Sequence, residues 1–177
     1  MSNRAFLFGS AIVVVVLVAL VFFMFFPATE VKSYEVELSD FVFVLKDGEF
    51  PIKVKVGETI RFKIRNVGGF EHEFMIVTAD MKDKMADEAL DLINSLMDMG
   101  LSGEDLLEEF EKRFETHHEE EGVLLEVVLE PGEETVVEIV FEEPGTCYII
   151  CLEAEGTIEA GKTHFHQGMF AEIIVEE

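Results

Sequence analysis

From Ser33 onward the chain repeatedly alternates apolar and polar residues in short runs, and Gly or Pro closes most of them. Alternation with period two puts every second side chain on one face, so such a run folds as a strand with one buried face. In "SYEVELSDFVFVL" Tyr34, Val36 and Leu38 share a face, and residues 52–56 and 59–65 follow as two more runs around a Gly57-Glu58 turn. The pattern continues through Phe74, Ile76 and Val77, then returns in residues 123–129, 135–141, 146–151 and 170–175, with Pro131-Gly132 and Pro144-Gly145 as turns. Seven or so short strands with such turns predict an all-β sandwich. Between residues 78 and 122 the period changes: Met81, Met85, Leu92, Ile93 and Leu96 fall at helical spacing, and Gly100 and Gly103 punctuate. Ser102 with Asp105 resembles a capping box ahead of Leu106, Leu107, Phe110 and Phe114, so a helical hairpin is expected as an insertion at about 79–121.

The first residues are of another kind. Residues 5–26, AFLFGSAIVVVVLVALVFFMFF, carry no charge, and at about 1.5 Å per residue they make roughly 33 Å of helix, enough to cross a bilayer core. A cleavable signal has a shorter apolar region and a small-residue cleavage site. This run is longer and ends in Phe-Phe-Pro, so residues 1–27 are expected to stay as a single transmembrane helix. Arg4, the one cation ahead of it, favours a cytoplasmic N-terminus. Residues 28–177 would then form a domain on the outer face of the cytoplasmic membrane. The formal net charge of -24 excludes nucleic acid as a partner, because phosphate demands the opposite sign. It suits a well-solvated surface or the steering of a basic partner.

Cys147 and Cys151 lie four apart. On one strand that spacing is about 13 Å, far beyond disulfide reach, so free thiols are expected, with Cys147 as a small buried apolar residue. Cys151 has company of a different sort: His72 near the start of a strand, and His164, His166 and Met169 just before the last one. Two imidazoles and a thiolate with a weak thioether are the ligands of a blue-copper site. Soft sulfur favours Cu(I) and imidazole suits Cu(II), so a rigid sandwich holding one compromise geometry is fitted to passing single electrons.

On these residues the sequence resembles the cupredoxin family over nearly all of its soluble part. "VKVGETIRFKIRNVGGFEHEFMIV" is similar to the family's strand, turn, strand, Asn, loop, His-Glu-Phe pattern, which implies that His72 is the first copper ligand. "LEPGEETVVEIVFEEPGTCYIIC" is similar to its later half, which implies that Cys151 is the thiolate. "HFHQGMFAEIIV" resembles the family's close in rusticyanin-like and sulfocyanin-like members, with Met169 as the axial ligand. The resemblance implies a Greek-key β-sandwich, one type 1 copper per chain and no enzymatic activity of its own. It also implies a redox protein as partner: a cytochrome, a terminal oxidase or another membrane redox complex.

The departure from the family is the long stretch between Cys151 and the second His. His164 and His166 both remain candidates, the first with the Met spacing of many blue-copper proteins, the second with that of amicyanin-like and CuA-like loops. A binuclear CuA centre needs a second Cys four residues after the first, where Glu155 stands. A His beside the Cys, which couples a second copper in multicopper oxidases, is also missing, since Ile150 and Leu152 flank Cys151. Two other readings compete with a free electron carrier. One is an accessory or oxidase-subunit-II-like component of a larger membrane complex. The other is copper storage or delivery through Met81, Met85, Met97 and Met99, although at helical spacing these four are expected to pack the hairpin against the sandwich. His117 and His118 beside Glu119 to Glu121 read as a solvated helix end.

Overall fold

The computed structural model describes residues 31–114, 122–154 and 162–177. The expected membrane helix, His117, His118 and Glu155 lie outside the described residues. Among the described residues no helix is long and apolar enough to cross a membrane, and Val31–Glu177 forms one compact unit.

Nine strands and two helices make up the described part. In chain order they are β1 (Lys32–Ser39), β2 (Val42–Leu45), β3 (Ile52–Lys55), β4 (Thr59–Asn66), β5 (His72–Thr78), α1 (Ala79–Asp98), α2 (Glu104–Phe114), β6 (Val123–Leu129), β7 (Glu134–Val140), β8 (Gly145–Ile150) and β9 (Phe170–Glu176). They form two sheets, β2-β1-β4-β7 and β3-β9-β8-β5-β6. β1 runs parallel to β4 and β3 parallel to β9; the other pairs are antiparallel. The expected β-sandwich with two inserted helices is what the chain builds.

The inner faces meet in a core of Val36, Leu38, Ile60, Phe62, Ile64, Phe74, Ile76, Ile149 and Ile173. β5 departs from simple alternation, because His72 to Val77 are all buried. Phe74 and Ile76 point into the sandwich, whereas Met75 and Val77 join a second core with Met81, Met85, Ala89, Ile93 and Leu96 of α1 and Leu106, Phe110 and Phe114 of α2. The helical insertion therefore covers the outer face of the five-stranded sheet, and a strand covered on both faces loses its polar half. Burying side chains such as Met85, Ile93 and Leu96 contributes about 1.5–3 kcal/mol each. Lys82 reinforces the seam, its ammonium 4.9, 5.2 and 5.7 Å from the ring centroids of Tyr148, Phe170 and Phe165.

Three expectations need correcting. "SYEVELSDFVFVL" is a hairpin, β1 and β2, turning at Asp40-Phe41 with Ser39 opposite Val42. The first bond of α2 runs from the Leu107 N–H to the Gly103 carbonyl, which makes Gly103 the cap and leaves Ser102 outside the helix. Of the four methionines, Met81 and Met85 are core, while Met97 and Met99 are exposed. α1 ends as Gly100 takes φ 88°, with the Gly100 and Leu101 N–H groups donating to the Met97 and Leu96 carbonyls.

Candidate metal centre

Three ends of strand meet at one pole of the sandwich: the start of β5, the residue after β8 and the loop before β9. Asn66, fully buried, prepares the first of them. Its side chain donates to the carbonyls of Phe70 (2.7 Å) and Leu129 (2.8 Å) and accepts the Gly68 N–H (2.9 Å), so the 67–71 loop delivers His72 in a fixed position. His164 is delivered differently. The Ala154 and Thr163 backbones bridge antiparallel, the His164 N–H donates to the Glu153 carbonyl and the Phe165 N–H to the Cys151 carbonyl (both 2.8 Å). A zipped stem thus brings Cys151 and His164 together despite their separation in sequence.

The donor atoms converge. The Nδ1 atoms of His72 and His164 are 3.1 Å apart, and Cys151 Sγ is 3.3 Å from His164 Nδ1 and 3.9 Å from His72 Nδ1. All three side chains are buried. A metal held at ordinary distances, about 2.0–2.1 Å to nitrogen and about 2.3 Å to sulfur, would set trigonal edges of roughly 3.5 and 3.8 Å. The triangle present matches that within about half an ångström, so these residues fit a small transition-metal ion. Met169 is fully buried in the same core as Cys151; its N–H donates to the His164 carbonyl (3.0 Å) and its carbonyl accepts the Cys151 N–H (3.3 Å).

His166 is not in the cluster. It lies in the 3₁₀ turn Phe165–Gln167, partly exposed, with Nδ1 2.9 Å from the Thr163 hydroxyl. Cys147 is buried in the sandwich core, and both cysteines are free thiols.

Electrostatics prepare the site for a cation. Burial, reinforced by the imidazole of His72, pulls His164 down to about 4, and burial also lowers His72, so both rings are neutral at neutral pH. Burial and the neighbouring Glu73 push the Cys151 thiol well above its usual range. The thiolate is the ligand form, so a bound cation must displace that proton. His72 Nε2 is buried without a hydrogen-bond partner, while Nδ1 is the ring nitrogen that faces His164 and Cys151.

Glu73 escaped the sequence reading, although a charged residue inside an otherwise apolar strand was the signal. Its N–H donates to Cys151 Sγ (3.3 Å), and its carboxylate accepts the Leu152 N–H (3.1 Å), so one residue holds both the sulfur and the backbone that follows it. It also lines an open cavity of about 350 Å³ beneath α2 with Glu71, Glu111, Glu126 and Glu153. Burial and the neighbouring carboxylates Glu71, Glu111 and Glu126 raise Glu153 to about 8. Gly68 also went unnoticed: a Cβ there would stand 2.7 Å from His72 Nε2 and 2.9 Å from Asp40 Oδ1.

No protein-family model matches the sequence, and no curated protein matches it either. Solved structures do. Auracyanin of the photosynthetic bacterium Roseiflexus castenholzii aligns over 82% of this chain and 98% of its own, at 19% identity and a TM-score of 0.51. Auracyanin B aligns over 86% of this chain and 91% of its own, at 18% identity and 0.54. An azurin from the methylotroph Methylomonas sp. strain J covers 82% and 98%, at 15% identity and 0.50. The two-sheet topology and the His72, Cys151, His164 cluster at its pole thus come with auracyanins and azurin as structural neighbours, and the fold of this chain is the cupredoxin fold.

Proposed function

We propose that the chain binds one copper ion through His72 Nδ1, Cys151 Sγ and His164 Nδ1, with Met169 as the weak fourth ligand, and carries single electrons. The observation that supports it is the buried triangle of one sulfur and two Nδ1 atoms. Its donor types are those of a blue-copper centre. Copper held there would supply one reversible electron. The chain's own residues do the rest: Glu73 orients the thiol, Asn66 fixes the loop that carries His72, and burial of all three side chains excludes water. Among the described residues the three side chains that converge here are all of copper-ligand type, which favours a carrier over an enzyme. Copper-loaded protein should lose its colour with one reducing equivalent and regain it on reoxidation with the metal retained. Loss of copper on each reduction would contradict the reading.

The membrane placement belongs to the same proposal. Residues 5–26 are uncharged and long enough to span a bilayer, and anchoring at the outer face of the cytoplasmic membrane would keep the carrier beside membrane redox complexes. The net charge of -24 favours a redox protein with a basic docking face as partner. Recovery of the chain in the membrane fraction, resistant to alkaline carbonate, supports the anchor; release by carbonate counts against it.

A further inference from the structure

Phe41 is the one non-glycine residue with positive φ among the described residues, at 61°. It is the second central residue of the two-residue β1–β2 turn, a position where glycine or asparagine sits without strain. A phenylalanine held in a left-handed conformation there calls for a compensating contact. That contact is with the metal centre. The Phe41 ring meets the His164 imidazole edge-on at 5.2 Å between centroids and 74°, and stacks on Phe70 at 6.2 Å; Phe70 in turn lies 6.4 Å from His164. Asp40 Oδ1 accepts the Gly69 N–H (3.0 Å), tying the turn to the loop that bears Phe70. The outer side of this pair faces solvent, Phe70 being 40% exposed, whereas His164 beneath it is 1% exposed.

We infer that Phe41 is a positioning residue for the metal centre: from its left-handed turn it braces the His164 imidazole and, with Phe70, closes that side of the site to outside ligands. The inference rests on His164 being a metal ligand, yet the shield itself is a property of the chain with or without metal. Two consequences follow. The imidazole keeps one orientation through each change of charge on its partner, and anions or chelators must displace an aromatic ring to reach the centre.

The test uses the full-length chain in detergent and the variants Phe41→Gly and Phe41→Asn, both of which suit the left-handed backbone and should keep the wild-type circular dichroism. In metal-free protein, modification by diethyl pyrocarbonate, resolved by mass spectrometry, should be slow at His164 and fast at the partly exposed His166. Loss of an edge-to-face ring contact should speed His164 modification by about tenfold, leaving His166 unchanged. In copper-loaded protein, azide should leave the wild-type paramagnetic-resonance spectrum alone and alter that of Phe41→Gly. Equal His164 reactivity in wild type and both variants would overturn the inference. So would a gain in reactivity matched by an equal gain at His72, because that would report general loosening. Altered His164 reactivity in a chain that binds no coloured copper would leave the shield standing and remove the copper reading.

Discussion

The carboxylate cavity beside the metal centre makes stability depend on pH in an unusual direction. An unfolded Glu gives up its proton near its ordinary value of 4.5, whereas Glu153 in the fold holds it to about 8. Between those pH values the native state binds one more proton than the unfolded chain, so the contribution is fully present below 4.5 and is lost as pH rises through 8. At about 1.36 kcal/mol per pH unit the whole span amounts to roughly 5 kcal/mol, which solvent reaching the open cavity reduces to about half. Glu73 and Glu71 are raised for the same reasons and act with the same sign. Metal-free protein unfolded in urea at pH 5, 6, 7 and 8 should therefore lose about 2–5 kcal/mol across the series. Glu153→Gln should flatten the profile and be more stable than wild type at pH 8. Parallel profiles for the two proteins would refute the assignment of the proton to Glu153.

Copper affinity should move with pH in the opposite sense: binding displaces the Cys151 proton, so affinity rises about tenfold per pH unit at neutral pH, and more steeply below about 4, where His164 must also lose one. A chelator-competition titration from about pH 3 to 8 checks both slopes. Gly68→Ala places a methyl 2.7 Å from His72 Nε2, and is expected to destabilise the chain by about 1–3 kcal/mol and to weaken metal binding, read by urea unfolding and the same titration. Ile93→Ala, in the core beneath the helical insertion, should cost about 2–5 kcal/mol in unfolding while leaving the metal spectrum unchanged, because the insertion covers the sheet's other face.

The strands were legible wherever one face is wet: the period-two runs of β1, β4 and β7 show directly in sequence because polar residues mark the solvent side. The β1–β2 turn was hidden because Phe41, rather than glycine, takes the left-handed conformation. The start of α2 was displaced because a glycine carbonyl opens the helix where Ser102 looked like the cap. Within the site, His72 and Cys151 follow from ligand order at strand ends. The choice between His164 and His166 does not, since it depends on a backbone stem from Glu153 to Phe165 that spacing alone cannot specify. Glu73 shows in sequence only as a charge inside an apolar strand, whereas Phe41 and Gly68 act through position in space, and a lone Phe or Gly carries no motif.

Aerobic titration of the metal-free chain with Cu(II), followed by optical absorption and paramagnetic resonance, tests the central claim most directly. One equivalent should produce an intense thiolate-to-copper charge-transfer band, absent from Cys151→Ser, lost or shifted in His164→Ala and retained in His166→Ala. Stoichiometric Cu(II) without that band, or a band that survives Cys151→Ser, would contradict it.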